Sequence, residues 1–369
     1  MFMGEEEDSE ELVIKEVDYS LNDILDLANE TEGTSDIHFK VGIPPYLRVD
    51  GELHSLDSSS LNKDDTFKFA TSILSPDQQS VLSETGDVDS SFRIEQRNDR
   101  YRVHVCKDDN GYSIDLRLIP DDIISVEKIG FPYDAVWHNI VHQKEGLVLI
   151  TGKTGQGKTT TMASLIQKIN DTRAENIITI EDPIEYVFHH NNSIITQREV
   201  GNHVVSFEKG LEGALRQDPD VILIGEIRNK DTAYIALEAA GSGHLVFSTL
   251  HTINAIETVR QYANFFGNND KDRVRSLLAS TLNYVLSQQL VPDRKDGGRA
   301  LAMEIMNVRD SDSIKSLLRD GKEHQLMTSL QTGQNWGMIT MDDSLKELYS
   351  AGRISHDDLL LYSHNPKDI

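Results

Sequence analysis

Residues 145–169 read EGLVLITGKTGQGKTTTMASLIQKI, and this stretch decides the fold. Its opening is an apolar run of strand type and its close has the apolar spacing of a helix. Between them, residues 152–159 (GKTGQGKT) match GxxxxGK[ST] in full. Glycine lacks a Cβ, so such a loop can turn its backbone N–H groups toward phosphate oxygens, and the N-terminus of the next helix adds positive potential. In that arrangement Lys158 reaches the β and γ phosphates and Thr159 supplies a hydroxyl to Mg²⁺. Gly152, Thr154, Gly155, Gly157, Lys158, Thr159 and Thr160 are the expected nucleotide contacts, with ATP and Mg²⁺ as the ligands.

Three further apolar runs follow, NIITIEDP, DVILIGE and HLVFSTLH, each closing in polar or glycine-containing sequence. Runs of this kind separated by helical segments are strands buried on both faces of a parallel sheet. The fold class is therefore α/β, with a P-loop domain over 135–369 whose later part, about 270–362, is mainly helical by periodicity. Upstream, Leu21, Ile24, Leu25 and Ala28 keep helical spacing behind Ser20 as N-cap. SDIHFKVGIPPYLRVDGEL (35–53) and RYRVHVCKDDNGYSIDLRLIP (100–120) then alternate apolar with polar residues, with Asn110-Gly111 as a hairpin turn. A small α+β domain over 19–120 is expected, joined by a linker at 121–134. Residues 1–18 are acidic and poor in large apolar side chains, so they read as a mobile extension.

Carboxylates at the carboxyl ends of parallel strands face the ligand crevice. Glu226 closes DVILIGE, where an acid can hold Mg²⁺, partly through water, or orient the attacking water. Glu181, Asp182 and Glu185 close the second run, and Glu185 is the first choice to polarise water for in-line attack. Each acid taken alone could be a solvated strand-end charge; their joint placement argues otherwise. His244 and His251 flank the last run seven residues apart, a spacing compatible with opposite faces or opposite ends, and either could serve structure alone.

Composition removes several function classes. With 36 Lys and Arg against 61 Asp and Glu the net charge is −25, which disfavours nucleic acid and anionic lipid as broad partners. Cys106 is the sole cysteine, so an internal disulfide and a cysteine zinc cluster are both out of reach, consistent with a reducing cytoplasmic setting. No apolar run approaches the roughly 20 residues that cross a bilayer.

With these motifs in place, the chain resembles the secretion-ATPase superfamily of type II secretion and type IV pili, and most closely its pilus-retraction ATPases. The resemblance rests on SDIHFKVGIPPYLRVDGEL, the GKTGQGKT loop, IITIEDPIEY, QREVG at 197–201, ALRQDPDVILIGEIR and GHLVFSTLHT. It implies a PAS-like first domain and a RecA-like P-loop domain after it, Glu185 as catalytic base or water-orienting residue, Glu226 as the Walker B glutamate, and His244 and His251 as sensors of phosphate state, His251 foremost. It implies too that Arg102 and Arg117 of the first domain approach the nucleotide, in some states from a neighbouring subunit. Without the resemblance the RYR cluster reads as a solvated strand edge. The implied partners are five further copies in a homohexamer, an inner-membrane platform protein of the pilus machine and a paralogous retraction ATPase, with no nucleic acid. The implied location is cytoplasmic, at the inner membrane through that machinery. Export ATPases of the superfamily usually add a long N-terminal domain and a tetracysteine module; neither pattern occurs here, so retraction is expected over assembly or secretion. SIKSLLRDGK stands where retraction ATPases carry an AIRNLIR-like sequence, and the acidic extension is a second departure.

Overall fold

The computed structural model describes residues 19–31, 33–49, 51–94, 99–119, 123–267, 269–295 and 297–368. The expected mobile extension at 1–18 lies outside them, as does the start of the expected linker. The chain divides at Ile119 into two compact units.

In the first unit Ser20 accepts from the Asp23 backbone N–H while the Asp23 carboxylate accepts from the Ser20 N–H, a reciprocal cap that starts the helix Leu21–Glu30. Six strands follow: β1 Thr34–Phe39, β2 Tyr46–Val49, β3 Glu52–Ser55, β4 Asp87–Ile94, β5 Asp99–Asp108 and β6 Gly111–Ile119. They form one sheet in the order β3-β2-β1-β6-β5-β4, with antiparallel neighbours throughout. Alternation sorts its faces. Ile37, Tyr101, Val103, Val105, Ile114 and Leu116 are fully buried and cluster with Ala70, Ile73 and Leu82 of the helices Lys63–Ile73 and Pro76–Thr85. The alternate positions, among them Asp36, Arg102, Asp115 and Arg117, are polar and fall on the other face. β5 pairs with a strand on each side, so RYR lies inside the sheet and not on its edge.

The second unit adds β7 Gly146–Thr151, β8 Asn176–Glu181, β9 Ile194–Glu199, β10 Val221–Ile224, β11 Leu245–Leu250, β12 Leu282–Pro292 and β13 Arg299–Asn307. Their order is β13-β12-β7-β11-β10-β8-β9, parallel from β12 to β9 with β13 antiparallel at the end. β7 and β11 are buried along their whole length, and separate apolar clusters cover the two faces of the sheet. That explains the unbroken apolar runs: a strand covered on both sides shows no alternation. The segment 270–362 is helical before and after β12 and β13, which periodicity does not reveal. LNYVLSQQLVP and RALAMEIMN are rich in Leu, Gln, Met and Ala, good helix formers, and only their place between β7 and the edge makes them strands.

Because β7, β11, β10 and β8 run parallel in adjacent order, their carboxyl ends meet along one edge of the sheet. Everything that follows β7, β8, β10 and β11 in sequence emerges there.

Candidate functional site

The glycine loop leaves β7 at Thr151 and enters the helix Lys158–Thr172. Gly155 and Gly157 lie at φ +79° and +76°, in the left-handed region that glycine adopts without strain. Gly152 is constrained by space as well: at φ +144°, a Cβ there would lie 2.6 Å from the backbone oxygen of Gln288 on β12. Gly152→Ala is therefore expected to displace the loop, lowering the thermal midpoint and weakening nucleotide binding at least tenfold. Calorimetry with and without ADP checks this, and wild-type affinity in the variant would contradict it.

Lys158 sits inside the loop, its Nζ donating to the backbone oxygens of Gly152 at 2.8 Å and Lys153 at 3.0 Å. Burial lowers its pKa, while the negative charges of Glu226 and Glu185 oppose that drop, so both acids lie within electrostatic reach of the ammonium. Thr159 is the next residue of the same helix turn. Thr160 shares a hydrogen bond with the Tyr186 hydroxyl at 2.8 Å, tying the helix start to the segment after β8. Beside the loop lies a recess of about 360 Å³ lined by Gly157, Thr160, Leu290, Leu301, Arg299 and Arg353. Arg299 donates to the Gly155 backbone oxygen at 3.1 Å, and Asp293 holds Arg353 at 2.9 Å.

Glu226 lies two residues beyond β10. Its Oε1 accepts from Arg228 at 2.5 Å and its Oε2 faces His251 Nε2 at 3.2 Å. Burial alone would raise this carboxyl; hydrogen bonds and charge from Arg228 and His251 outweigh it and hold it below the ordinary carboxylate value. Glu226 is thus ionised at neutral pH, an oxygen donor of the type hard cations prefer. Arg228 also reaches Asp182 Oδ2 at 3.3 Å, linking the ends of β10 and β8.

Glu185 is exposed on the segment after the cis Asp182-Pro183 peptide. Strand β9 pins that segment: the Ile184 N–H donates to Glu199 at 3.1 Å and the Phe188 N–H to Gln197 Oε1 at 3.0 Å, while Gln197 Nε2 donates back to the Tyr186 oxygen at 2.8 Å. The side-chain NH₂ of Gln197 also donates to Glu181 at 3.1 Å, and the Thr179 hydroxyl donates to the same oxygen at 2.6 Å. Burial pushes the Glu181 carboxyl up from 4.5 to about 7; the two donors restrain the rise and the charge on Glu185 adds to it. An acid whose pKa is raised by folding stabilises the fold fully below its unfolded value, and that contribution is lost as pH climbs through the folded value. The window is pH 4.5 to about 7, and the contribution is on the order of 3 kcal/mol. Wild type should therefore lose more thermal stability between pH 5 and 8 than Glu181→Gln; parallel melting curves for the two proteins would refute the assignment.

His251 and His244 part company. His251 follows β11 at the carboxyl edge and meets Glu226. His244 precedes β11, its Nδ1 near the Ala239 backbone oxygen at 2.9 Å and the Ser242 hydroxyl at 3.1 Å. A six-residue strand, roughly 20 Å, separates the two rings, so the structure does not bring His244 to the phosphate loop of its own chain. The seven-residue spacing corresponds to opposite ends of the strand.

In the first unit Arg117 donates through Nε to Asp36 Oδ1 at 2.8 Å, and Arg102 is its cross-strand neighbour. Asp36 stays below its usual range: burial would raise it, but Ser35 and Arg117 prevail. Side chains that sequence reasoning does not single out, Arg228, Tyr186, Gln197 and Glu199, complete the arrangement. Arg228 stands two residues after the strand-end acid in GEIR, which was its available signal; the others depend on the β8–β9 pairing.

A glycine loop between strand and helix, with two strand-end acids and a histidine on the same edge, defines a P-loop nucleotide-hydrolase unit. Comparison with known proteins narrows the class. Residues 6–341 match the family model "Type II/IV secretion system protein", and the chain belongs to that family. It is 38% identical over 311 residues to "Twitching motility protein" of Neisseria gonorrhoeae, covering 84% of this chain and 82% of that one. With "Type IV pilus retractation ATPase PilT" of Pseudomonas aeruginosa it shares 37% identity over 327 residues, 89% of this chain and 93% of the relative. The solved "Pilus Retraction Motor PilT and Bound ADP" superposes with a TM-score of 0.87 at 41% identity, covering 95% of this chain and 99% of that one.

Proposed function

We propose that this chain is an ATP-hydrolysing motor that works as a homohexameric ring to retract type IV pili. The observation that carries the reading is that Glu226 and Glu185 follow the carboxyl ends of β10 and β8 on the same edge of the sheet as the phosphate loop, within electrostatic reach of the Lys158 ammonium. The nucleotide occupies the glycine loop and the adjoining recess. Lys158 exchanges its loop carbonyls for phosphate oxygens. Glu185 accepts a hydrogen bond from a water and aims its oxygen at the γ phosphorus; the P–O bond to the β phosphate breaks as the new one forms, and the water proton passes to Glu185 or to the released phosphate. The Thr159 hydroxyl and the ionised Glu226, the latter partly through water, are the residues that would hold Mg²⁺, which when bound neutralises charge on the β and γ oxygens. His251, bonded to Glu226, is placed to report loss of the γ phosphate. Arg102 and Arg117 add positive charge from a neighbouring subunit.

Among the described residues no helix is long and apolar enough to cross a membrane. On the retraction reading the ring takes a cytoplasmic position at the inner membrane, held by a platform protein of the pilus machine, with a paralogous retraction ATPase as a further partner. Deleting the gene tests direction: cells that keep or accumulate pili but no longer twitch support retraction. Bald cells would assign the chain to assembly instead.

A further inference from the structure

Arg228 and His251 hold the carboxylate of Glu226, but the backbone that carries it is held by another residue, Thr249 of β11. The register between β10 and β11 ends at the pair Ile224 and Ser248, so Gly225, Glu226 and Ile227 lie beyond the last regular pairing of those strands. There the Thr249 hydroxyl donates to the Gly225 backbone oxygen at 2.7 Å. The backbone oxygen of the same residue accepts from the Ile227 N–H at 3.1 Å. On the opposite side the Gly225 N–H donates to the Ile180 oxygen of β8 at 2.8 Å.

These two bonds fall on the two peptide planes that flank the Glu226 Cα. The Gly225 oxygen belongs to the plane entering Glu226 and the Ile227 N–H to the plane leaving it. Peptide groups are planar, so a residue has only its two backbone dihedrals to move by, and fixing both flanking planes fixes the direction of its Cα–Cβ bond. Packing secures the second plane independently, because Ile227 is 3% exposed and belongs to the apolar cluster on one face of the sheet. The first plane follows a glycine, which has no side chain to pack and the widest backbone freedom, so the Thr249 hydroxyl matters most there. Thr249 is itself buried, and a hydroxyl has a single proton to give. That proton is committed to the main chain beside Glu226, so Thr249 acts on the site through Glu226 and not by donating to a phosphate or a water.

We propose that Thr249 is a positioning residue for the strand-end acid, setting the direction of the Glu226 side chain by holding the peptide planes on both sides of it. The inference rests on the proposed role of Glu226 toward Mg²⁺. Thr249→Val keeps the branched shape and removes the hydroxyl, Thr249→Ser keeps the hydroxyl, and Glu226→Gln removes the charge being aimed. Binding of the β,γ-imido analogue of ATP to each full-length protein is measured by calorimetry, once with Mg²⁺ and once with EDTA, and the ratio gives the strengthening due to the cation. That ratio is expected to fall by about tenfold or more in Thr249→Val and Glu226→Gln and to stay within about twofold of wild type in Thr249→Ser, with affinity in EDTA unchanged. A role in stability alone would instead move the melting curve and the affinity in EDTA and leave the ratio as it was. Should Thr249→Val not fold, Thr249→Ala removes the same hydroxyl and is read in the same way. A wild-type ratio in the folded hydroxyl-free variant, with loss in Glu226→Gln, would overturn the proposal and leave the role of Glu226 standing. A wild-type ratio in both variants, or binding by wild type that ignores Mg²⁺, would overturn the role of Glu226 and the proposal with it.

Discussion

Glu185→Gln is expected to lower kcat by about a thousandfold while leaving nucleotide affinity within a few-fold of wild type. Glu185 is exposed, and the segment that carries it is held through its backbone by Gln197 and Glu199 and through Tyr186 by Thr160. An amide of the same shape leaves those bonds in place. What it removes is the negative charge that, in the proposed mechanism, polarises water, so loss should fall on turnover and not on binding. Nucleotide affinity measured beside steady-state hydrolysis separates the two. A matched fall in both would mean that Glu185 acts by shaping the loop.

Lys158→Ala is expected to remove measurable hydrolysis and to weaken ATP binding by about ten- to a hundredfold, the loss of one or two charge-assisted hydrogen bonds. In the structure the ammonium is held by two loop carbonyls, Gly152 and Lys153. Alanine therefore leaves two carbonyls turned inward as well as removing the cation that the proposed mechanism sets on the phosphates. A near-normal melting curve for the variant would show that the loop relaxes around the loss; strong destabilisation would show that Lys158 also braces the nucleotide-free loop. Either way the contrast with Glu185→Gln is the signature: one variant loses binding and turnover, the other turnover alone.

The phosphate site was legible because its chemistry is local. Eight consecutive residues between a strand and a helix set backbone donors, cation and hydroxyl together, and no long-range register is needed to read them. Glu226 and Glu185 were legible at one remove, because parallel strands put their carboxyl ends on one edge whatever their order. The contacts that tune those acids were not. Arg228 bridging Glu226 to Asp182, and Gln197 joining Glu181 to the Tyr186 backbone, exist only once β10 lies beside β8 and β8 beside β9. The histidines show the same limit from the other side. Spacing left open whether His244 and His251 share a site, and the answer came from the direction of β11. β12 and β13 stayed hidden because their residues favour helix when read locally, and RYR reads as an edge until β4 is seen to pair outside it.

The central claim is that Glu185 drives hydrolysis at a loop organised by Lys158. Its most direct test is a single-turnover measurement, with enzyme in excess over labelled MgATP, comparing wild type and Glu185→Gln after binding is complete. Prompt phosphate release by wild type and bound but unhydrolysed ATP in the variant is the predicted result. Equal single-turnover rates in the two proteins would contradict it, and would place the water-activating group elsewhere on that edge of the sheet.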